Sequence, residues 1–382
     1  LFGKANLQPV AAAMLTRGTK TMTRSEIEDR MTELKMAGSI TNFTTTRKNL
    51  PAALELVFDA MHNSIMPQDE FDQFKKQMQV MIESMRDKPD ALAQNAITQH
   101  FNTYPKGDPR YEYSLDESLE QLNKLTVDQV RAFYKEFGGT SRGEISIVGD
   151  FDPKAVEKII RDDYAKYVSK AHYAPVVTEY RPVKLTRVVI DTPDKENAII
   201  VARSVFPIND TAPDAPALTV ANWILGGGTG LSNRLIERLR QKEGLSYGAG
   251  SHVRIPAKGN NGIFVFRAIV APQNMLQAEA SARDVIAKAI KDGFTDQEVE
   301  EAKKGLLQAM QVARSQDDVV ARSWNDKMEN QRTWAFSKKQ AEAISKLTTA
   351  DVNAALRKYI KPDEITFVLA GDQKKASQKK QD

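Results

Sequence analysis

Two stretches of this chain repeat one another about 220 positions apart, and this repeat limits the folds that the chain can adopt. Residues 125–135 and 347–357 each open on Leu-Thr and continue as a helical pattern with an acidic first turn. Each stretch is followed by an apolar run that ends in Gly-Asp, at 144–150 and at 364–372. These runs predict the last strand of each unit. The sequence therefore predicts two copies of one α+β unit.

The length of 382 residues is enough for two domains that each bury a core. We predict a first domain over residues 1–175, a second domain over 182–373 and a disordered basic tail over 374–382. The chain opens on Leu1 without an initiator methionine, so we expect it to be a piece of a longer protein.

Charge and residue content exclude several classes of function. The 54 basic and 50 acidic residues nearly cancel, unlike the concentrated positive charge of a nucleic-acid-binding protein. The sequence has no apolar run near the ~20 residues of a membrane span, and its lack of cysteine excludes disulfides and thiolate sites. The four histidines, His62, His100, His172 and His252, are scattered, so we do not expect them to form a metal cluster.

The segment 226–253 combines a glycine loop, an amphipathic helix and a strand. The loop is 226–230, and the helix that follows it, 231–242, is predicted to start at a Ser232 cap. Gly244 suits the left-handed residue that ends a helix. The helix is therefore predicted to stop just before the chain reverses into a strand.

One face of this helix is apolar, and Arg240 lies at the edge of that face. The apolar residues are Leu231, Leu235, Ile236 and Leu239. The alternating run 245–253 predicts a strand that begins beside Tyr247. Arg240 and Tyr247 are thus predicted to converge on one cleft, from a helix end and a strand start.

The glycine loop also has an interpretation as a phosphate-binding loop. It lacks the Lys-Ser/Thr ending of a P-loop and the G-x-G-x-x-G spacing of a dinucleotide site. It also follows a predicted helix, 217–225, and not a strand. A turn that lets two backbone segments approach closely is the favoured interpretation.

Taken together and in this order, these motifs resemble the pitrilysin/insulinase zinc peptidases, and in particular the carboxyl-terminal, non-zinc-binding half of long bacterial members. The resemblance implies two similar domains, each with an antiparallel-dominated sheet and helices packed on one face. It also implies that Arg240 and Tyr247 are the catalytic, substrate-binding pair of this half, donating hydrogen bonds to a peptide carbonyl. Gly227 and Gly228 are the implied substrate-binding residues of the loop.

Active members of this family bind zinc through an H-x-x-E-H motif and a glutamate on a later helix. A Met-Leu-x-x-Gly-Thr stretch at 14–19 aligns that motif with residues 9–13, where both histidines and the glutamate are absent. Glu83 aligns with the third ligand, but Lys76 replaces a neighbouring acidic residue. No metal is therefore expected on this chain. Only eight residues precede Pro9, so we expect the first domain to lack its opening strands or to begin differently.

The resemblance implies the substrate-binding half of a zinc-dependent endopeptidase, which hydrolyses peptides or small unfolded proteins inside a closed chamber. Zinc would lie in a partner, the amino-terminal half or subunit of the same peptidase, so this chain alone is not expected to be a complete enzyme. The alternative is a non-catalytic scaffold or peptide-binding subunit of a larger assembly. The presence of both Arg240 and Tyr247 favours the composite enzyme. By analogy with long bacterial members, the expected location is periplasmic or extracellular.

Overall fold

The computed structural model describes residues 3–228 and 233–378. The first half of the chain is mainly helical, with one short two-stranded hairpin. Its elements are α1 (Leu7–Met14), α2 (Arg24–Glu33), β1 (Ala37–Ser39), β2 (Asn42–Thr44), α3 (Leu50–Asn63), α4 (Gln68–Glu83), α5 (Pro89–His100), α6 (Leu115–Lys124), α7 (Val127–Phe137) and α8 (Pro153–Asp162). Residues 167–186 then lie in no helix or strand. This segment, here called the connector, includes the boundary between the two predicted domains, and the division into two domains stays a prediction.

The second half carries a five-stranded sheet and the remaining helices. Its elements are β3 (Arg187–Asp191), β4 (Ala198–Pro207), α9 (Ala215–Asn222), α10 (Arg234–Ile236), β5 (Ser246–Arg254), β6 (Asn261–Val270), α11 (Met275–Asp292), α12 (Asp296–Ala313), α13 (Asp317–Glu329), α14 (Trp334–Lys346), α15 (Thr349–Tyr359), β7 (Thr366–Gly371) and α16 (Gln373–Gln378). Helices α9 and α10 continue as π-helical segments, Trp223–Gly227 and Glu237–Lys242.

The strands of the sheet lie in the order β3-β7-β4-β6-β5. All neighbours are antiparallel except β3 and β7, which are parallel. One face packs against a core that includes residues of α9, α11, α12 and α15. Phe264 and Phe266 of β6 and Phe367 of β7 are fully buried in this core. Strand β5 forms one edge of the sheet, next to the predicted Arg240–Tyr247 site.

Helix α5 belongs to the first half of the chain but covers the opposite face of this sheet. Ala93 and Ile97 of α5 pack in one apolar cluster with Ile199 of β4 and Val368 of β7. Strands with helices on both faces must be apolar on both faces. This explains why residues 198–202 form an unbroken apolar run instead of an alternating one.

The α+β fold class predicted from the sequence is confirmed. The two repeated helices are α7 and α15, and each begins at a capping box, formed by Thr126 and by Thr348. The second repeated strand is β7, but the first was predicted wrongly, because residues 144–150 form no strand. A strand needs a neighbouring strand for its hydrogen bonds. Residues 144–150 pair with no strand among those described, and Ile147 packs against an apolar cluster of α3 and α8.

The two halves therefore differ more than the repeat alone predicted. Within the described residues, the first half has the β1–β2 hairpin and the second has the five-stranded sheet. The predicted disordered tail also needs correction: residues 374–378 belong to α16, where Ala376 is buried, and 379–382 lie outside the described residues. In the described part of the chain, no helix is long and apolar enough to cross a membrane.

Candidate functional site

Arg240 lies on a helix whose inner face is held by apolar side chains. Leu235 and Leu239 are fully buried in the core of the second half, whereas Arg240 is exposed. The helix begins at Asn233, whose side chain accepts a hydrogen bond from the backbone N–H of Ile236 at 2.9 Å. The predicted cap, Ser232, and Leu231 of the predicted stripe lie outside the described residues.

The second turn of this helix, Glu237–Lys242, is π-helical. π-Helical turns are rare in proteins, but many of those that occur lie at functional sites. Each contains one residue more than an α-helical turn, which changes the direction of the neighbouring side chains. Gly244 then adopts φ of +61°, and the backbone N–H of Leu245 donates to the carbonyl of Leu239 at 2.8 Å. The predicted glycine stop is confirmed, since only glycine takes this left-handed conformation without strain.

Tyr247 occupies an irregular position at the start of β5. Ser246 pairs with Val270 and Gly248 pairs with Ile269, so Tyr247 is an extra residue without a partner on β6. This is a β-bulge, a feature that bends a strand and re-aims a side chain. The Tyr247 side chain is 64% exposed, although large aromatic side chains are usually buried. The fold therefore presents the phenol to solvent at the edge of the sheet.

Three arginines on this helix have different surroundings. Arg234 forms a two-pronged ion pair with Glu298, at 2.7 and 2.8 Å, and donates to the carbonyl of Gly293 at 2.9 Å. Arg238 pairs with Glu243, which also accepts a hydrogen bond from the hydroxyl of Ser281. These two arginines hold the helix to α12 and to α11.

Arg240, in contrast, has no hydrogen-bond or ion-pair partner for its side chain among residues 3–228 and 233–378, and the same holds for Tyr247. The helix–turn–strand corner formed by residues 233–254 thus carries a guanidinium and a phenol that the fold does not use. Both are hydrogen-bond donors. Their convergence on one ligand stays a prediction.

The glycine loop packs tightly against the same corner. A Cβ atom on Gly226 would lie 2.5 Å from the Ser251 hydroxyl, and one on Gly227 would lie 2.3 Å from the Asn222 amide nitrogen. A Cβ atom on Gly228 would lie 3.0 Å from the carbonyl of Trp223. The close approach that favours glycine is confirmed for these three residues, but Gly226 and Gly227 lie in the π-helical segment and not in the predicted loop. A substrate contact by Gly227 or Gly228 stays a prediction, and positions 229–230 lie outside the described residues.

The residues that align with the zinc motif lie on α1 and do not fit a metal. Val10, Ala11 and Met14 are buried in a cluster with α4 and α7. The motif's ligand positions, Pro9 and Ala13, and its base position, Ala12, carry no side-chain donor atom. Glu83 at the end of α4 pairs with Arg86 at 2.9 Å. No group of three histidine, aspartate or glutamate residues in the described ranges is arranged to hold a metal ion.

The sequence prediction missed a second polar region, on the face of the sheet opposite the main core. Arg203 interrupts the apolar run of β4 and lines a cavity together with His252 and Arg254 of β5. His252 lies on β5, five residues beyond Tyr247, and lines this cavity. The available signal was an arginine directly after the apolar run 198–202, as the only charged residue of β4.

Comparison with known families identifies the region that carries the α10–β5 corner. Residues 124–306 match the family model described as the peptidase M16 inactive domain. The matched segment, just under half of the chain, is similar to a peptidase M16 inactive domain. The predicted resemblance to the pitrilysin/insulinase zinc peptidases, and to their non-zinc-binding half, is thereby confirmed.

Two proteins of similar sequence have different names, one a protease and the other a non-peptidase. An uncharacterized zinc protease of Streptomyces coelicolor is 24% identical over 277 residues, which are 70% of this chain and 58% of that protein. A non-peptidase homolog of Helicobacter pylori is 22% identical over 182 residues, which are 48% of this chain and 41% of that protein. The matched part thus spans less than two thirds of each relative.

Two solved structures share the fold. The peptidase M16 inactive domain from Pseudomonas fluorescens has a TM-score of 0.78 at 21% identity, over 95% of this chain and 87% of that chain. The periplasmic protease PqqL of Escherichia coli has a TM-score of 0.68 at 15% identity, over 96% of this chain but 41% of that chain. PqqL therefore extends well beyond the part that this chain matches.

Proposed function

We propose that this chain is the substrate-binding half of a composite zinc-dependent endopeptidase, in which Arg240 and Tyr247 contact the peptide. The observation that carries the proposal is the α10–β5 corner, where both side chains are exposed and neither has a partner in the described part of the chain. Arg234 and Arg238 of the same helix, in contrast, are paired within the fold.

The proposed chemistry follows from the two donors. The guanidinium of Arg240 and the phenol of Tyr247 donate hydrogen bonds to a peptide carbonyl oxygen beside the bond to be cleaved. These bonds position the substrate, and they strengthen as negative charge develops on the oxygen. The planar fork of an arginine is specific for this geometry, so a lysine at position 240 does not replace it.

The zinc belongs to the partner in this proposal, because α1 offers no ligand. The partner is the amino-terminal half or subunit of the same peptidase, and its chemistry is metal-assisted hydrolysis of peptides. The length of PqqL, of which this chain covers 41%, supports such a second half. Enclosure of the substrate between the halves would restrict it to peptides and small unfolded proteins. A periplasmic or extracellular location is proposed by analogy with PqqL, a periplasmic protease.

Reconstitution tests the proposal directly. The chain alone, and then mixed with its zinc-bearing half, is assayed for bound zinc and for hydrolysis of a quenched fluorescent peptide. We expect hydrolysis only in the mixture and zinc only in the partner. Tyr247→Phe removes one hydroxyl and is expected to slow hydrolysis by about tenfold or more.

Tyr173→Phe is the matched control, since Tyr173 is also an exposed tyrosine but lies in the connector. It is expected to leave hydrolysis unchanged. Stoichiometric zinc and hydrolysis in the chain alone would contradict the half-site proposal. Equal rates for Tyr247→Phe and the unsubstituted chain would remove Tyr247 from the site.

The second candidate function is a non-catalytic scaffold or peptide-binding subunit. The name of the Helicobacter pylori relative, a non-peptidase homolog, favours it, as does the absence of ligands on α1. The same mixture distinguishes the two functions. A stable complex with the authentic zinc-bearing half that hydrolyses no peptide would favour the scaffold.

A further inference from the structure

A cavity of about 620 Å³ lies on the face of the sheet opposite the main core. Strands β4, β5 and β6 form its floor, and the chain after α5 together with residues 176–183 forms the facing wall. Its volume is within the range of sites that bind small ligands. It shares strand β5 with the α10–β5 corner, but neither Arg240 nor Tyr247 lines it, so its chemistry is an independent question.

Arg203 is the unusual residue of this cavity. Its Nε atom is sealed from solvent and has no hydrogen-bond partner, and its guanidinium lies 5.5 Å from the ring centroid of Phe101. Burial, and after it the nearby charge of Arg254, lowers the pKa of Arg203. A buried charge without a partner destabilises a fold, and a ligand of opposite charge that enters the cavity would supply that partner.

Two other arginines line the cavity but are already engaged. Arg110 pairs with Asp108 at 2.7 Å and donates to the carbonyl of Val177 at 3.0 Å. Arg181 donates to the carbonyl of Thr103 at 2.8 Å. These contacts join the chain after α5 to residues 176–183, the two parts of the facing wall. They leave Arg203 and Arg254 as the arginines of this cavity without a hydrogen-bond or ion-pair partner in the described ranges.

The carboxylates of the cavity limit the charge of an incoming ligand. Glu112 acts on Arg203 through its charge but forms no ion pair with it, and Glu179 lines the same cavity. A doubly charged phosphate would be repelled by both. A single carboxylate, in contrast, matches the planar fork of an arginine with two parallel hydrogen bonds.

The rest of the cavity indicates what the carboxylate is attached to. Val205, Ile263 and Val265 line the floor and suit an apolar side chain. The side-chain oxygen of Asn261 is buried there without a donor, and a peptide N–H would satisfy it. We infer that this cavity binds the carboxyl terminus of a peptide that ends in an apolar residue, with the carboxylate held by Arg203 and Arg254.

This site has a geometric relation to the proposed substrate contact. Arg254 and Tyr247 lie on the same strand, seven residues apart, which corresponds to about 20 Å along a strand. An extended peptide of about six residues therefore reaches from one to the other. Only this link depends on the proposed function, because binding of the carboxyl terminus requires no zinc-bearing half.

Fluorescence polarisation on the chain alone tests the inference. The probe is a hexapeptide labelled at its amino terminus that ends in Phe-Leu with a free carboxylate. We expect saturable binding, and at least about tenfold weaker binding of the same peptide with an amidated carboxyl terminus. Arg203→Met and Arg254→Gln are each expected to reduce affinity for the acid to that of the amide.

Control variants separate recognition from loss of structure. Arg203→Met places an apolar side chain in an apolar setting, so its melting temperature is expected to match or exceed that of the unsubstituted chain. Glu112→Gln removes a competing carboxylate and is expected to bind the acid peptide equally or more tightly. Two further probes distinguish the source of the carboxylate: an amidated peptide with an internal glutamate, and octanoate as a competitor.

Both further probes are expected to bind at least about tenfold more weakly than the free-acid peptide. Equal affinity for the acid and amide peptides would overturn the inference, as would undiminished binding by a folded Arg203→Met variant. An amidated glutamate peptide or octanoate that binds as tightly as the free acid would overturn the assignment to a peptide terminus. Because the zinc-bearing half is not present, none of these failures affects the reconstitution test.

Discussion

Helices α1 and α10 are similar in their buried apolar faces and differ in the residues that they expose. Each helix is held by buried apolar residues, such as Met14 of α1 and Leu239 just beyond α10. The outward positions differ, because α1 presents Pro9 and Ala12 where α10 leads to Arg240. The buried face of each helix packs it against the core, whereas the exposed face carries the side chains that can contact a ligand. The zinc groups can therefore be absent from α1 without any loss of its packing.

Substitution of the exposed residue Arg240 is expected to have the largest effect, and this effect is on catalysis. In the reconstituted peptidase, Arg240→Ala is expected to reduce kcat/KM by about 10²–10³-fold, as for loss of a donor to a developing oxyanion. Ala12→Ser on α1 is expected to leave it unchanged. Lys242→Ala is the matched control, since Lys242 is an exposed cation of the same turn. A loss of activity in Ala12→Ser as large as in Arg240→Ala would break the comparison between the helices.

Substitutions on the buried faces of the two helices are expected to destabilise the fold to a similar extent. Leu239→Ala and Met14→Ala each leave a cavity in a buried cluster, and each is expected to lower the free energy of unfolding by about 2–5 kcal/mol. Arg240→Ala is expected to change it by less than about 0.5 kcal/mol, because its side chain is exposed and unpaired among the described residues. Urea denaturation of the isolated chain measures all three. A large destabilisation by Arg240→Ala would assign that residue to the fold.

The ion pair between Arg234 and Glu298 gives the smallest expected effect. A double-mutant cycle with Arg234→Ala and Glu298→Gln is expected to give a coupling of about 1–2 kcal/mol, since the pair is two-pronged and partly buried. The exposed pair of Lys242 and Glu237 is expected to give less than about 0.5 kcal/mol. Equal coupling energies would show that the ion pair of Arg234 stabilises the fold no more than the exposed pair of Lys242 does.

The same pair predicts a pH dependence. Burial alone would raise the pKa of Glu298, but hydrogen bonds from Arg234 and Thr295 outweigh it, so the pKa is lowered on folding. A lowered carboxyl pKa stabilises the fold fully above the glutamate's unfolded pKa, and this stabilisation is lost as pH falls through the folded pKa. The stability difference between the unsubstituted chain and Glu298→Gln should therefore shrink on acidification. A difference that grows at acid pH would contradict this sign.

Local signals in the sequence were sufficient for the α10–β5 corner. Gly244 marked the helix end, and Leu235 and Leu239 marked its buried face. Such features depend on residues within a few positions of one another, so they are readable without the fold. The β-bulge at Tyr247 was not readable, because it arises from the register between β5 and β6.

Features that depend on distant partners were missed or predicted wrongly. Residues 144–150 have the composition of a strand but have no neighbouring strand in the described part of the chain. The packing of α5 on the far face of the sheet, and the cavity around Arg203, join segments about 100 positions apart. No pattern within either segment indicates the other.

The sequence by itself determined the α+β class, the family resemblance, the residues at 9–13 that replace the zinc motif, and the choice of Arg240 and Tyr247 as the candidate pair. Each of these depends on residue types at short spacing. Only the tertiary structure decided that Arg234 and Arg238 are paired while Arg240 has no partner in the described ranges. It also decided that Arg203 lies in a cavity where its guanidinium forms no ion pair with any described residue. The physical reason is that exposure and charge pairing depend on which distant side chains meet, and folding alone brings those side chains together.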